Sequence, residues 1–251
     1  MSIRVVTFDW GDTLAANYGM PYLHVHRQAL DAYAEALVAA GGQRPQDWLD
    51  ECMAELLSVW HDSIDPIKNP DWQEADIAGL CHRWTARIID PQQAPQAVQA
   101  AAHQLWRRCT DVVRPYGGCR ETLQTLAAEG YRLGILSHVA WPPDACQAWF
   151  VRWGLADYLD FYSFSSEVGW IKPNPRHFAH AVDLAGVAPE HILHVGDHPL
   201  RDINGARAHG LGTCLRLTER MHPDADLATC RPDHVITNID ELPDLLAGLD
   251  R

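Results

Sequence analysis

The stretch Val5-Val6-Thr7-Phe8-Asp9-Trp10-Gly11-Asp12-Thr13-Leu14 decides the fold. Its apolar, β-branched half, starting at Ile3, reads as a buried strand, and Asp9-Trp10-Gly11-Asp12 reads as the tight turn that ends it. Three later stretches follow the same pattern. YRLGIL at 131–136 runs into Ser137-His138, a short strand at 161–164 precedes the loop GWIKPNP, and HILHV at 191–195 gives way to Gly196-Asp197. Helical stretches at 119–129, 144–153, 175–185 and 201–209 separate them, with Asp144 and Asn174 as candidate N-caps. Further strands near 212–216 and 234–237 and a helix near 240–248 complete the chain. Strands alternating with helices of this length specify an α/β fold, a doubly wound parallel sheet with helices on both faces. Such sheets bind ligands beyond the carboxyl ends of their strands, at the point where strand order reverses. The four strand ends are therefore the places to look for chemistry.

Between about residues 16 and 113 the composition changes to Ala, Gln, Trp, Leu and Arg, and strand-like runs disappear. Helices are expected at about 21–40, 46–61, 72–89 and 95–110. Leu30, Tyr33, Ala34, Leu37 and Val38 fall on one face of the first. The expected organisation is a core of residues 1–15 and 114–251 and an all-helical insert of residues 16–113. Trp48, Trp60, Trp72, Trp84 and Trp106 fall in these helical stretches and are expected to pack the insert.

The formal charge of −13 over 251 residues contains no basic block. That argues against nucleic acid or an anionic membrane as partner, because phosphate neutralisation needs clustered cations. No stretch approaches the ~20 apolar residues of a spanning helix, and no leader-like segment opens the chain. Seven cysteines, an odd number without a CxxC pair, fit reduced thiols in a cytoplasmic protein. Oligomeric state is not written in the sequence, and a homodimer stays open.

The four strand ends carry groups suited to phosphoryl chemistry. Asp9 is a carboxylate able to attack phosphorus, Ser137 a hydroxyl able to hold a phosphoryl oxygen, and Lys172 a cation able to offset charge. Asp197 and Asp202 are carboxylates able to hold Mg²⁺. Each alone has a plainer explanation as a cap, a turn hydroxyl or a solvated charge. Their occurrence together, in order and each at a strand end, sets them apart.

In VVTFDWGDTL, GYRLGILSHV, SSEVGWIKPNPRHFAHAVDLAGV and HILHVGDHPLRDINGARAHGLGT the chain resembles the haloacid dehalogenase superfamily. It is most similar to the phosphatase-rich subfamily that carries a helical cap after the first motif. The resemblance implies Mg²⁺-dependent hydrolysis of a small phosphorylated metabolite through an aspartyl-phosphate on Asp9. It implies metal ligation by Asp9, the Gly11 carbonyl and Asp197, with Asp202 supporting the metal shell or Lys172. Thr13, Ser137, His138 and Lys172 would bind the phosphoryl group.

One departure stands out. Phosphatases of this superfamily place a second aspartate two residues after the nucleophile, as general acid and base, and this chain has Gly11 there, followed by Asp12. Positioned acid–base help is typically worth 10²–10⁴-fold. Asp12, His24, His26 or a water are the candidate substitutes. Dehalogenase or phosphonatase chemistry, the latter needing a cap lysine for which only Lys68 is available, is one alternative. A catalytically weak phosphate-binding module is another. Substrate contacts are expected from the entry to the first cap helix, at Asn17, Tyr18, Tyr22, His24 and His26, and more weakly from Arg27, Trp60, His61, Arg83, Trp84 and Arg107.

Overall fold

Val5–Phe8 (β1) and Ile192–Gly196 (β6) are buried at every residue, as befits strands covered on both faces. The computed structural model describes residues 2–16, 22–218 and 229–249. Among these, six parallel strands form one sheet in the order β5-β4-β1-β6-β7-β8, where β4 is Arg132–Ser137, β5 Phe161–Phe164, β7 Gly212–Arg216 and β8 His234–Ile236. The chain starts in the middle, winds outward through β4 and β5, then crosses to β6 on the other side of β1. Strand order therefore reverses at β1, where Phe8 is in register with Ile135 on one side and Val195 on the other. The carboxyl ends of β1, β4 and β6 lie side by side there, as the topology requires of a binding site. The chain is an α/β protein of the expected class.

A two-stranded antiparallel ribbon, β2 (Ala15–Ala16) with β3 (Arg114–Pro115), joins this sheet to the helices between them. Those helices are α1 (Tyr22–Ala39), α2 (Trp48–Ile64), α3 (Ile77–Ala86) and α4 (Pro95–Thr110). Leu30, Tyr33, Ala34 and Leu37 are buried on α1 as expected, whereas Val38 is 42 % exposed because it turns past the edge of the apolar stripe. Trp48 and Trp84 are fully buried, and the Trp48 indole donates to the Trp84 carbonyl at 3.0 Å.

The third helix departs from expectation. It begins at Ile77, capped by the Asp76 carboxylate, which accepts from the Gly79 amide at 2.8 Å. Residues 72–76, read as helix from sequence, are instead irregular and run against the core. Trp72 has a φ of +55°, and Gln73 bridges to Trp170.

Beyond β3 the order is α5 (Cys119–Ala128), β4, α6 (Pro143–Arg152), β5, α7 (Ser165–Val168), α8 (Pro175–Ala185) and β6. Asn174 caps α8, accepting from the Arg176 amide, and Gly186 closes it at φ +63°. Asp144 is not the cap of α6. Pro143 takes the first helical position and moves the start one residue earlier, leaving Asp144 in the first turn. The stretch read as helix 201–209 is a wide helical turn, Pro199–Asn204, running into the short α9 (Gly205–Ala208). The last helix, α10, spans Leu242–Leu249. All seven cysteines are free and buried. Among the described residues no helix is long and apolar enough to cross a membrane.

Candidate active site

A cavity of about 310 Å³ opens at the carboxyl ends of β1, β4 and β6. Asp9, Gly11, Asp12, Ser137, His138, Lys172, Asp197 and Asp202 all line it, so residues spread over nearly two hundred positions meet at one place. Trp60 and Thr110 close it from the helical insert.

Its centre is a buried ammonium. Lys172 Nζ donates to Asp9 Oδ1 at 2.8 Å, to Asp202 Oδ1 at 2.5 Å and to the Leu136 carbonyl at 2.8 Å. Three acceptors account for all three protons of the amine. Its main role in this arrangement is therefore to hold the two carboxylates and balance their charge. Burial works against the lysine's charge, yet Asp202 and Asp9 together raise its pKa above the ordinary value. Asp202 is also opposed by burial, but Lys172, then His194, holds its carboxyl well below the usual range. For Asp9 burial wins over the pull of Lys172, and its pKa rises to about 6.

Local sequence explains why Asp202 can reach this point. A Cβ at Gly196 would lie 2.4 Å from the Asp202 side chain, so only glycine at the end of β6 leaves room. The Asp202 Oδ2 accepts from the His198 amide at 2.9 Å, fixing the second half of the carboxylate.

Behind Asp202 stands a residue the sequence reading passed over. His194, fully buried inside β6, lies 3.3 Å from Asp202 Oδ1 through Nε2 and 3.0 Å from the Thr7 hydroxyl through Nδ1. A carboxylate only accepts, so Nε2 carries the proton and Thr7 donates to Nδ1. Burial, chiefly, lowers the pKa of this imidazole. The signal was present in HILHV: a polar ring inside an apolar run must find partners.

Carboxylate oxygens of Asp9, Asp197 and Asp202 lie within 4.8 Å of one another. Opposite ligands of a Mg²⁺ ion are about 4.2 Å apart, twice its ~2.1 Å bond length. All-oxygen donors and close spacing of three carboxylates fit a hard divalent cation.

The remaining sequence candidates fall differently. Thr13 is fully buried, its hydroxyl has no hydrogen-bond partner, and it does not line the cavity. His24 is exposed on α1 and also lies off the cavity wall, while His26 is buried with its ring 5.3 Å from that of Trp141. Lys68 is exposed, paired with Asp62 at 2.5 Å, and does not line the cavity. Trp60, expected chiefly to pack the insert and more weakly to meet substrate, lines the cavity and stacks on His138, with centroids 5.4 Å apart and planes at 12°. Asn17, Tyr18 and the Tyr22 side chain lie outside the described residues.

Asp12 adopts φ +53°, accepts from the Tyr116 hydroxyl at 3.4 Å, and has its backbone carbonyl held by Arg216 at 2.5 Å. Glu74 was missed altogether, because its segment reads as helix. Its buried carboxylate reaches across from the insert to Ser165 and His138.

Comparisons with known proteins agree with this geometry. A family model described as haloacid dehalogenase-like hydrolase matches residues 3–210. The human haloacid dehalogenase-like hydrolase domain-containing protein 3 is 35 % identical, in an alignment covering 100 % of this chain and 95 % of that protein. The glyceraldehyde 3-phosphate phosphatase of Pyrococcus furiosus is 31 % identical over 66 % of this chain and 67 % of its own length. Among solved structures, a 2-haloacid dehalogenase from Pseudomonas syringae superposes with a TM-score of 0.70 and 27 % identity, covering 98 % of this chain and 99 % of that one. The chain belongs to the haloacid dehalogenase-like hydrolase family.

Proposed function

We propose that the protein is a Mg²⁺-dependent phosphatase that acts on a small phosphorylated metabolite through an aspartyl-phosphate on Asp9. The observation that carries this reading is the cluster of Asp9, Asp197 and Asp202 beside Lys172, which supplies a nucleophile together with closely spaced oxygen donors for a divalent cation. A dehalogenation at Asp9 has no use for such a set of carboxylates. Attack by a carboxylate on a phosphate dianion does, because a cation must screen the repulsion.

Asp9, Asp197 and the Gly11 carbonyl would hold the Mg²⁺, with Asp202 supporting them and Lys172. Bound there, the ion would offset the charge that builds between carboxylate and phosphoryl oxygens. Lys172 aims the Asp9 carboxylate, Asp202 and His194 fix Lys172, and Ser137 offers its hydroxyl to a phosphoryl oxygen at the end of β4. Helices α1 to α4 act as a cap, bringing Trp60 over the cavity and excluding water.

The volume of about 310 Å³ sits at the small end of ligand pockets, typically 300–1,000 Å³. That suits a compact phosphate ester rather than a polymer end. Several relatives are named as phosphatases of such compounds, glyceraldehyde 3-phosphate and phosphoglycolate among them. The test is a panel of metabolite phosphates assayed for phosphate release with Mg²⁺, beside 2-chloropropionate assayed for halide release. Phosphate release from a small ester supports the reading. Halide release without phosphate release would replace it with dehalogenase chemistry.

A further inference from the structure

With Gly11 in place of a carboxylate, the proposed phosphatase has no assigned group to protonate the leaving oxygen and later to activate water. We propose that His138, oriented by Glu74 of the helical insert, is that acid and base; the proposal rests on the phosphatase reading above.

Outside the Lys172 cluster, and besides Asp197 proposed for the metal, the carboxyl and imidazole groups that line the cavity are Asp12, His138 and His198. Asp12 faces the Tyr116 hydroxyl, and His198 Nδ1 accepts from the Arg201 amide at 3.3 Å, capping the turn that carries Asp202. His138 is arranged differently. Its side chain is only 8 % exposed, and its Nε2 is sealed from solvent without a hydrogen-bond partner. That nitrogen lies 3.6 Å from Oε1 of Glu74, whose side chain is 5 % exposed. The Trp60 ring lies flat against the imidazole and fixes its plane.

Glu74 is itself held. Its amide donates to the Gly169 carbonyl at 3.0 Å, its Oε1 accepts from the Ala75 amide at 2.7 Å, and its Oε2 accepts from the Ser165 hydroxyl. A carboxylate buried this deeply calls for a basic partner. Among the described residues the basic side chain within 4 Å of it is His138. A carboxylate orienting an imidazole is a recurrent arrangement for proton transfer, and such contacts are often long before substrate binds.

His138 directly follows Ser137 at the end of β4, the strand hydrogen-bonded to β1, so imidazole and Asp9 open onto the same cavity. In the first step an Asp9 oxygen bonds to phosphorus, the bond from phosphorus to the leaving oxygen breaks, and that oxygen takes the proton on imidazolium Nδ1, the nitrogen not turned to Glu74. In the second step water bonds to phosphorus and gives a proton to the neutral imidazole. The bond between Asp9 and phosphorus breaks, and the carboxylate and imidazolium are restored. The proton donor is thus complete only when the insert is seated on the core.

Leaving-group dependence tests this. p-Nitrophenolate departs without protonation, whereas phenolate, a stronger base, benefits from an acid. Wild-type protein should turn over phenyl phosphate and p-nitrophenyl phosphate with kcat values within about tenfold. His138→Gln should lose about 10²-fold more kcat/KM, which reports the ester-cleaving step alone, on phenyl phosphate than on p-nitrophenyl phosphate. Glu74→Gln, a positioning change, should shift the same kcat/KM ratio in the same direction by less. Equal kcat/KM losses on both esters in these variants would overturn the proposal. A wild-type preference for p-nitrophenyl phosphate beyond about 10²-fold would do the same. If wild type turns over neither ester nor any metabolite phosphate, the phosphatase reading itself falls and takes the proposal with it.

Discussion

Lys172 and Asp9, 163 positions apart in sequence, form a 2.8 Å ion pair at the carboxyl end of the central strand. The pair is almost closed to solvent, and the same ammonium also grips Asp202 at 2.5 Å. The sheet topology makes the meeting inevitable, since β1 lies between β4 and β6 and the Lys172 loop follows β5 on the same end. The nucleophile proposed for the reaction is therefore placed by a residue that has no proton left to offer a substrate in this arrangement.

Removing that ammonium should be costly to the fold as well as to activity. Lys172→Met leaves two buried carboxylates facing each other, and breaking a buried pair from one side typically costs 3–5 kcal/mol. Urea denaturation at pH 7.5 should show a loss of that order. Adding Asp202→Asn to Lys172→Met should recover part of it, because one uncompensated charge is then gone. A lysine that merely binds substrate would give a stable Lys172→Met protein.

Asp9 should weaken the fold at neutral pH when no cation is present. Its folded pKa of about 6 lies above the ordinary 3.8, so the folded state binds this proton more tightly than the unfolded chain. The stability this provides is complete below about 3.8 and is lost as pH rises through about 6. The difference of about two units corresponds to roughly 3 kcal/mol. Asp9→Asn keeps an oxygen for Lys172 without the charge. It should melt above wild type at pH 7.5 in EDTA, with the gap narrowing toward pH 4. Mg²⁺ should raise the wild-type melting temperature and leave Asp9→Asn nearly unmoved. A wild-type melting temperature indifferent to Mg²⁺ would speak against the metal site.

Gly11 and Asp12 offer a further check. Apart from its chain neighbours no atom lies within 4 Å of a Cβ built at Gly11, and its φ is not left-handed, so the backbone there tolerates a side chain. In the His138→Gln background Gly11→Asp should restore phenyl phosphate turnover by at least about tenfold, because a positioned carboxyl then supplies the proton. The gain in wild type should be much smaller. Equal gains in both backgrounds would mean that His138 never supplied it.

Much of this was legible from residues alone. The strand ends at Asp9, Ser137 and Asp197 were readable because short apolar runs stop sharply at polar turns, and β5 was placed residue for residue. The expected helices of the insert appeared, with α4 matching at both ends, because caps and prolines mark them. What escaped were contacts between distant segments. Glu74 sits in a stretch with helical composition, and only pairing with the core loop at Gly169 and Trp170 holds it out of a helix. Trp60 is only a weak candidate for substrate contact from sequence, because nothing local says that it faces His138 rather than the inside of the insert. Thr13 illustrates the converse. The family resemblance implies a phosphoryl contact for it, yet its hydroxyl is sealed from solvent.

The central claim is that Asp9, in a Mg²⁺-dependent site, is the nucleophile for phosphoryl transfer. Its most direct test is the initial rate of p-nitrophenyl phosphate hydrolysis by wild type and by Asp9→Asn, each with Mg²⁺ and with EDTA. The expected result is turnover by wild type with Mg²⁺ alone, and a loss of at least about 10³-fold in Asp9→Asn, as for removal of a nucleophile elsewhere. Hydrolysis that persists in Asp9→Asn, or that proceeds unchanged in EDTA, would contradict it.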